Sequence, residues 1–366
     1  MGIYIASGVS LLPDGLNMDN LIQGNIAAAE RSDSSLHLPN IVGERLISDK
    51  AFVMPRMDKI VRRVANAQSR WVLYSGIKTW ESSTGDKISP EQRGLFIGLG
   101  TSDADDDILP IAFDAQDDES YVSRALVETP PLMGLALLNT STASHLSQHL
   151  NIQGDNGFFS PHVDAGGNAF LEGYYSIKEK RSQWVLCGGG SQKISPWYYL
   201  AYERLIKNTP WLPAEAAAFI TLHEDVHNAD GEILRFERSF LHNTAFHNNN
   251  PYQRFLTELT EENLSPCQII HVGKATDGFI ALASDTFPDA IQFYLDKTMG
   301  YSGPAAPFIA INLAIDMHKK GISVDNVNRN FIRPLPPSLV LVVVHGLENQ
   351  CIAILLRMGM PKEGEL

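Results

Sequence analysis

The chain has 366 residues, 44% of them hydrophobic and 19% charged, which at roughly 150 residues per domain predicts two structural units or one large unit of two similar halves. That composition excludes general disorder and fibrous repeats. Twenty-nine basic against 42 acidic residues leave a net charge of −13, which repels polyphosphate backbones and anionic lipid and so disfavours a nucleic-acid or membrane-surface role.

The opening MGIYIASGV has no basic stretch before its apolar run and no small-residue cleavage pattern after it, so Ile3–Gly8 reads as a first strand and not as a secretion signal. No apolar run approaches the roughly 20 residues that span a bilayer. Cys187, Cys267 and Cys351 are too far apart for a disulfide framework or a thiolate cluster, and a reducing cytoplasm is the expected compartment. Further apolar, β-branched runs occur at Leu95–Gly100, Trp184–Gly188, Ala217–Leu222, Gln268–Gly273, Leu339–Val344 and Cys351–Leu356. Several are apolar throughout, as strands covered on both faces must be.

Between the strands, Arg56–Tyr74 repeats apolar residues at Ile60, Val61, Val64, Trp71 and Val72 before Gly76; the spacing predicts one amphipathic helix with that glycine as its stop. Ala305–Met317 is apolar nearly all round and is followed by Gly321, which predicts a helix buried at the centre. Strands alternating with helices predict an α/β protein of layered sheets and helices. The acidic stretch from Ser102 to Glu119 is expected to be a solvated loop: counted from Asp103 as a calcium loop, Ile108 and Asp114 stand where glycine and glutamate are needed. Pro334 to Pro337 marks a rigid turn.

Two strings carry chemistry on their face. His223-Glu-Asp-Val-His227 matches HExxH, which on a helix presents two imidazoles to zinc with Glu224 as base. The strand-like AAFITL before it and Asn228 to Gly231 after it predict a strand, a short loop and a hairpin instead, so His223, Glu224 and His227 are expected on a surface loop and no metal is assigned. Gly188–Ser191 follows a strand without the lysine of a phosphate loop or the serine of a nucleophile elbow. A tight turn at the strand end is expected there.

The stretch Gly154-Asp-Asn-Gly-Phe-Phe-Ser-Pro-His-Val-Asp-Ala-Gly166, with the helical run and QWVLCGGG after it, resembles the nucleophile region of β-ketoacyl synthases. RMDK at Arg56–Lys59, RGLFIGLG at Arg93–Gly100, Asn139 and EAAAFITL at Glu215–Leu222 are similar to family segments in the same order. So are Val272-Gly-Lys-Ala-Thr276, where the family has HGTGT, Lys297-Thr-Met-Gly-Tyr301, where it has KSMLGH, and His345-Gly-Leu-Glu-Asn349, where it has FGGTN. The resemblance implies a thiolase-like fold, two similar halves, residues 1–242 and 243–366, stacked in five layers as αβαβα. It also implies that the nucleophile and the two catalytic histidines are replaced by Val163, Val272 and Tyr301. An isopropyl group has no lone pair for a thioester. His271 adjoins Val272, but strand alternation turns it to the opposite face.

A family scaffold without its reactive groups is similar to the chain length factor of type II polyketide synthases. The resemblance implies a noncatalytic subunit that pairs with an active ketosynthase as a heterodimer and shapes the acyl tunnel that sets product length. It further implies that an acyl carrier protein brings the acyl chain on its own phosphopantetheine, that no cofactor is bound by this chain, that Phe113 in the loop Thr101–Pro131 gates the tunnel, and that Gly157–Ser160, with Phe158 and Phe159, lies in the interface. Glutamine is common in such subunits where Val163 stands here. Two other readings remain open: a divergent acyl-transfer or condensing enzyme using Asp164, Tyr301 or His271, and a zinc hydrolase at His223, Glu224 and His227.

Overall fold

A computed structural model describes residues 2–24, 26, 28–29, 40–101, 120, 122–123, 127, 129, 131–206, 210–240, 251–274, 277–324, 331–332, 338–346 and 350–359. The stretch 102–119, Phe113 within it, the prolines at 334–337 and the expected division between residues 242 and 243 lie outside the described residues. The strands are β1 (Tyr4–Leu11), β2 (Arg93–Leu99), β3 (Asn156–Phe159), β4 (Trp184–Gly190), β5 (Ala217–His223), β6 (Gly231–Phe240), β7 (Gln268–Gly273), β8 (Ile291–Tyr294), β9 (Ser323–Val324), β10 (Phe331–Ile332), β11 (Ser338–His345) and β12 (Gln350–Met358). The helices are α1 (Met18–Gln23), α2 (Lys59–Val64), α3 (Ala67–Glu81), α4 (Met133–Leu137), α5 (Asn139–Leu150), α6 (Val163–Lys178), α7 (Pro196–Ile206), α8 (Pro251–Glu261), α9 (Asp277–Thr286), α10 (Leu295–Met299) and α11 (Ala306–Lys320).

Ten strands form one sheet in the order β3-β2-β4-β5-β1-β6-β12-β11-β7-β8, while β9 and β10 pair separately. Read inward from its two outer edges, the order repeats. β3, β2 and β4 are parallel and β4-β5-β1 antiparallel; β8, β7 and β11 are parallel and β11-β12-β6 antiparallel. The two five-stranded sets meet through Tyr4 opposite Glu232 and Ile5 opposite Gly231. β6 thus holds in the second set the place that β1 holds in the first.

Helices complete the layers. α6 touches β2 and β4 of the first set and β11 and β12 of the second, and α11 likewise touches strands of both, so these two helices form the middle layer. α3 and α5 cover the outer face of the first set, and α8 and α9 that of the second. This is the five-layer αβαβα thiolase-like arrangement. α11 owes its place to composition: Phe308, Ile309, Ile311, Leu313 and Ile315 are all buried, and each such side chain contributes about 1.5 to 3 kcal/mol relative to exposure. Pro307 opens the helix and Gly321, at φ 62°, ends it.

Two local expectations are corrected. The periodic stretch from Arg56 forms two helices, α2 and α3, because Asn66 interrupts it and caps the second by accepting the Ser69 N–H at 2.8 Å. Gly76 is no stop; α3 runs past it to Glu81, and a Cβ at Gly76 would stand 2.7 Å from Leu146 Cδ2. The glycines 188–190 also form no turn. They continue β4 as a fully buried strand, since side chains there would meet Phe219 at 2.1 Å and the Pro304 carbonyl at 2.1 Å. Among the described residues no helix is long and apolar enough to cross a membrane, and the three cysteines are free.

Candidate functional site

The middle layer brings Val163, Val272 and Tyr301, the positions that the resemblance implies are substituted, to one place. Val163 is the first residue of α6, fully buried, and the extended His162 precedes it. Val272 lies one residue before the end of β7, where its register opposite Val344 turns it into the central core with Val163 and Tyr301. Gly273 follows with φ 83°; a Cβ there would be 2.9 Å from Val163 Cγ1 and 2.2 Å from the His345 carbonyl. A left-handed glycine therefore lets the end of β7 close onto the start of α6. Tyr301 arrives after α10, its backbone held by the Leu212 carbonyl at 2.7 Å and the Ala214 N–H at 2.9 Å.

The Val163 N–H donates to Tyr301 Oη at 3.3 Å. A helix N-terminus presents unpaired N–H groups and partial positive charge that suit an anion. Here the chain's own phenol occupies the first of them. Tyr301 in turn packs against Trp211, 4.8 Å between ring centroids, and Tyr202, 5.7 Å. Tyr202 stacks on Tyr198 at 4.4 Å and meets the His162 ring at 5.3 Å, with His162 Nδ1 and Tyr202 Oη 3.3 Å apart. The Trp211 indole N–H donates to Tyr198 Oη at 3.0 Å. All four aromatic side chains are buried, so aromatic packing fills the space in front of α6.

Chemically this arrangement is quiet. Valine offers neither nucleophile nor donor at 163 and 272. Burial pushes the Tyr198, Tyr202 and Tyr301 phenols up from their ordinary value. They stay protonated at neutral pH and hold hydrogen bonds without serving as bases. Asp164, on the first turn of α6, has its Cβ 3.3 Å from where a Gly346 Cβ would stand.

His271 faces away from the convergence, as alternation requires. It stacks on Tyr294 at 5.0 Å between centroids, and its ring nitrogens lie 2.6 Å from Gln292 Oε1 and 2.9 Å from His345 Nε2. With Nε2–H donating to the amide oxygen, Nδ1 accepts from His345 Nε2–H; this tautomer is assigned from the network. Burial lowers the His271 pKa to about 4 and takes His345 well below its usual value, so the pair is neutral.

The HExxH residues do not converge. His223 ends β5, buried and stacked on Trp184 at 4.1 Å; Glu224 pairs with Lys180, and His227 is exposed in a 3₁₀ turn. Phe158 and Phe159 are half-buried on opposite faces of β3, the terminal strand of the sheet. Sequence reading missed the aromatic cluster, although Tyr198 and Tyr202 share one face of α7 by their i, i+4 spacing.

No curated protein matches the chain by sequence. Its structure is similar to one from a type II polyketide synthase acyl-carrier protein in complex with its ketosynthase bound to the hexaketide, with TM-score 0.71, 17% identity, and 98% of this chain and 99% of that one covered. The ketosynthase from module 6 of the bacillaene synthase of Bacillus subtilis 168 aligns with TM-score 0.73 at 11% identity, over 99% of this chain and 73% of that one. An oxazolomycin ketosynthase domain of Streptomyces albus JA3453 aligns with TM-score 0.76 at 14% identity, over 100% and 77% respectively. These likenesses show the ketosynthase fold. The β-ketoacyl synthase N-terminal domain matches residues 17–209, more than half of the sequence, and the chain belongs to the β-ketoacyl synthase family.

Proposed function

We propose that this chain is a noncatalytic chain length factor: a cytoplasmic subunit that pairs with an active β-ketoacyl synthase and shapes the partner's acyl tunnel in type II polyketide biosynthesis. One observation carries the reading. Val163, Val272 and Tyr301, which the resemblance puts where the family has its nucleophile and histidines, meet in the core behind a wall of buried aromatic rings. A scaffold kept while its reactive centre is filled acts through a partner. β3, the terminal strand of the sheet among the described residues, with Phe158 and Phe159, suits the pairing surface that the resemblance implies, and obligate interfaces of that kind are large and apolar. Under this reading the acyl chain rides on an acyl carrier protein, whose acidic surface docks mainly on the partner, because this chain carries −13.

Coexpression with a ketosynthase and an acyl carrier protein tests the proposal. The chain is expected to copurify with the ketosynthase, to form no acyl adduct when offered loaded carrier protein alone, and to change product length when exchanged for a relative. Turnover or an acyl-enzyme by the isolated chain overturns it. Val163→Cys is expected to remain inactive beside a partner whose nucleophile has been removed: it restores a thiol but neither donor, and one missing oxyanion donor costs about 10² to 10³ in rate. Condensation by that single variant at the rate of the intact pair would contradict the assignment of Val272 and Tyr301.

A further inference from the structure

Beside the filled centre, and sharing Trp211 and Tyr301 with it as walls, a cavity of about 470 Å³ opens between Val42, Pro210–Leu212, the end of β7, α9 and the β8–α10 junction. Its size lies within the roughly 300 to 1,000 Å³ of small-molecule sites. Trp211, Leu212 and Ile280 supply apolar wall, and because the Trp211 N–H is spent on Tyr198 the indole offers ring surface. The polar groups are few. Asp296 lines the cavity and accepts the Gly273 N–H at 3.1 Å. His271 lines it too, with both ring nitrogens already engaged.

Lys274 and Lys297 stand exposed at the rim, and neither makes an ion pair with a described residue; the Lys297 ammonium lies 4.3 Å from the Tyr294 ring centroid. In a chain of net charge −13, this is a local reversal of sign at the mouth of an apolar cavity. Such a shape takes hydrocarbon inside and negative charge at the edge. We propose that the cavity binds a small amphiphilic organic anion, its apolar body against Trp211, Leu212 and Ile280 and its carboxylate or phosphate head between Lys274 and Lys297. The proposal stands on this chain's own residues, whether or not the chain pairs with a ketosynthase.

Isothermal titration of the full chain with octanoate, octyl phosphate and octanol tests it. Saturable binding of at least one anion is expected, with octanol about tenfold weaker, the sum of two exposed charge contacts. Lys274→Gln/Lys297→Gln, both exposed sites, is expected to bring the anion down to the level of octanol, and added salt to do the same in part. Leu212→Trp, which fills the cavity and leaves both charges, is expected to abolish binding of all three. Preference for octanoate or for octyl phosphate identifies the head group. Equal binding of octanol and the anions, undiminished binding by either variant, or no saturable binding of any probe overturns the proposal.

Discussion

Tyr202→Ala is expected to cost about 3 to 5 kcal/mol of folding stability, the range for emptying a buried aromatic site, whereas Tyr202→Phe is expected to cost about 1 kcal/mol. The difference follows from what the ring touches. Tyr202 stacks on Tyr198, contacts His162, Trp211 and Tyr301, and is 2% exposed; alanine leaves all four neighbours facing a void. Phenylalanine keeps those contacts and loses only the hydroxyl near His162 Nδ1 and its bond to Tyr301. Urea unfolding at unchanged m-value measures both. If the two variants were equally mild, aromatic packing would not be what holds the start of α6, and the site would be open to reshaping by a ligand. A void at Tyr202 also brings no thiol or imidazole, so the alanine variant is expected to gain no condensing activity.

The strands were legible because strands covered on both faces must be apolar throughout. Leu339–Val344 and Cys351–Leu356 carry that pattern, and both lie inside the second set. α11 was legible for the same reason, since a helix between the two five-stranded sets has no solvent face along its middle turns. The break at Asn66 was not, because a cap inside a continuous periodic pattern is decided by one side chain reaching one N–H three residues on. Glycines 188–190 misled for a related reason: the mark of a turn and the mark of close layer packing are the same residue, and only Phe219 and Pro304, distant in sequence, tell them apart. At the site, alternation along β7 sufficed to put Val272 and His271 on opposite faces. The partners of His271, Gln292 and His345, come from two other strands, and the cavity beside it draws on five separate segments, Val42, 210–212, 271–274, Ile280 and 294–301, so no local pattern announces either.

Asp296→Asn is expected to stabilise the protein, and by more at pH 8 than at pH 5. Burial in the cavity wall pushes the Asp296 carboxyl up from 3.8 to about 8, against the Gly273 N–H bond that favours its ionised form. The sign follows from proton binding. A carboxyl whose folded pKa lies above its unfolded value supports folding fully below the unfolded value, and that support is lost as pH rises towards the folded value, because the folded state must retain a proton that the unfolded chain has released. Asparagine keeps the oxygen that accepts the Gly273 N–H and carries no proton to lose. The wall is open to the cavity, so water offsets part of the shift, and the advantage of the amide is expected to grow by about 2 to 3 kcal/mol between pH 5 and pH 8. His223 and His271, lowered to about 4, lose stability in the opposite direction, as pH falls from 6.5. They are common to both proteins and cancel in the difference. Urea unfolding of the two at each pH gives the result directly: a difference that does not change with pH would mean that Asp296 is ionised in the folded protein, and the rim lysines would then face a carboxylate instead of an uncharged wall.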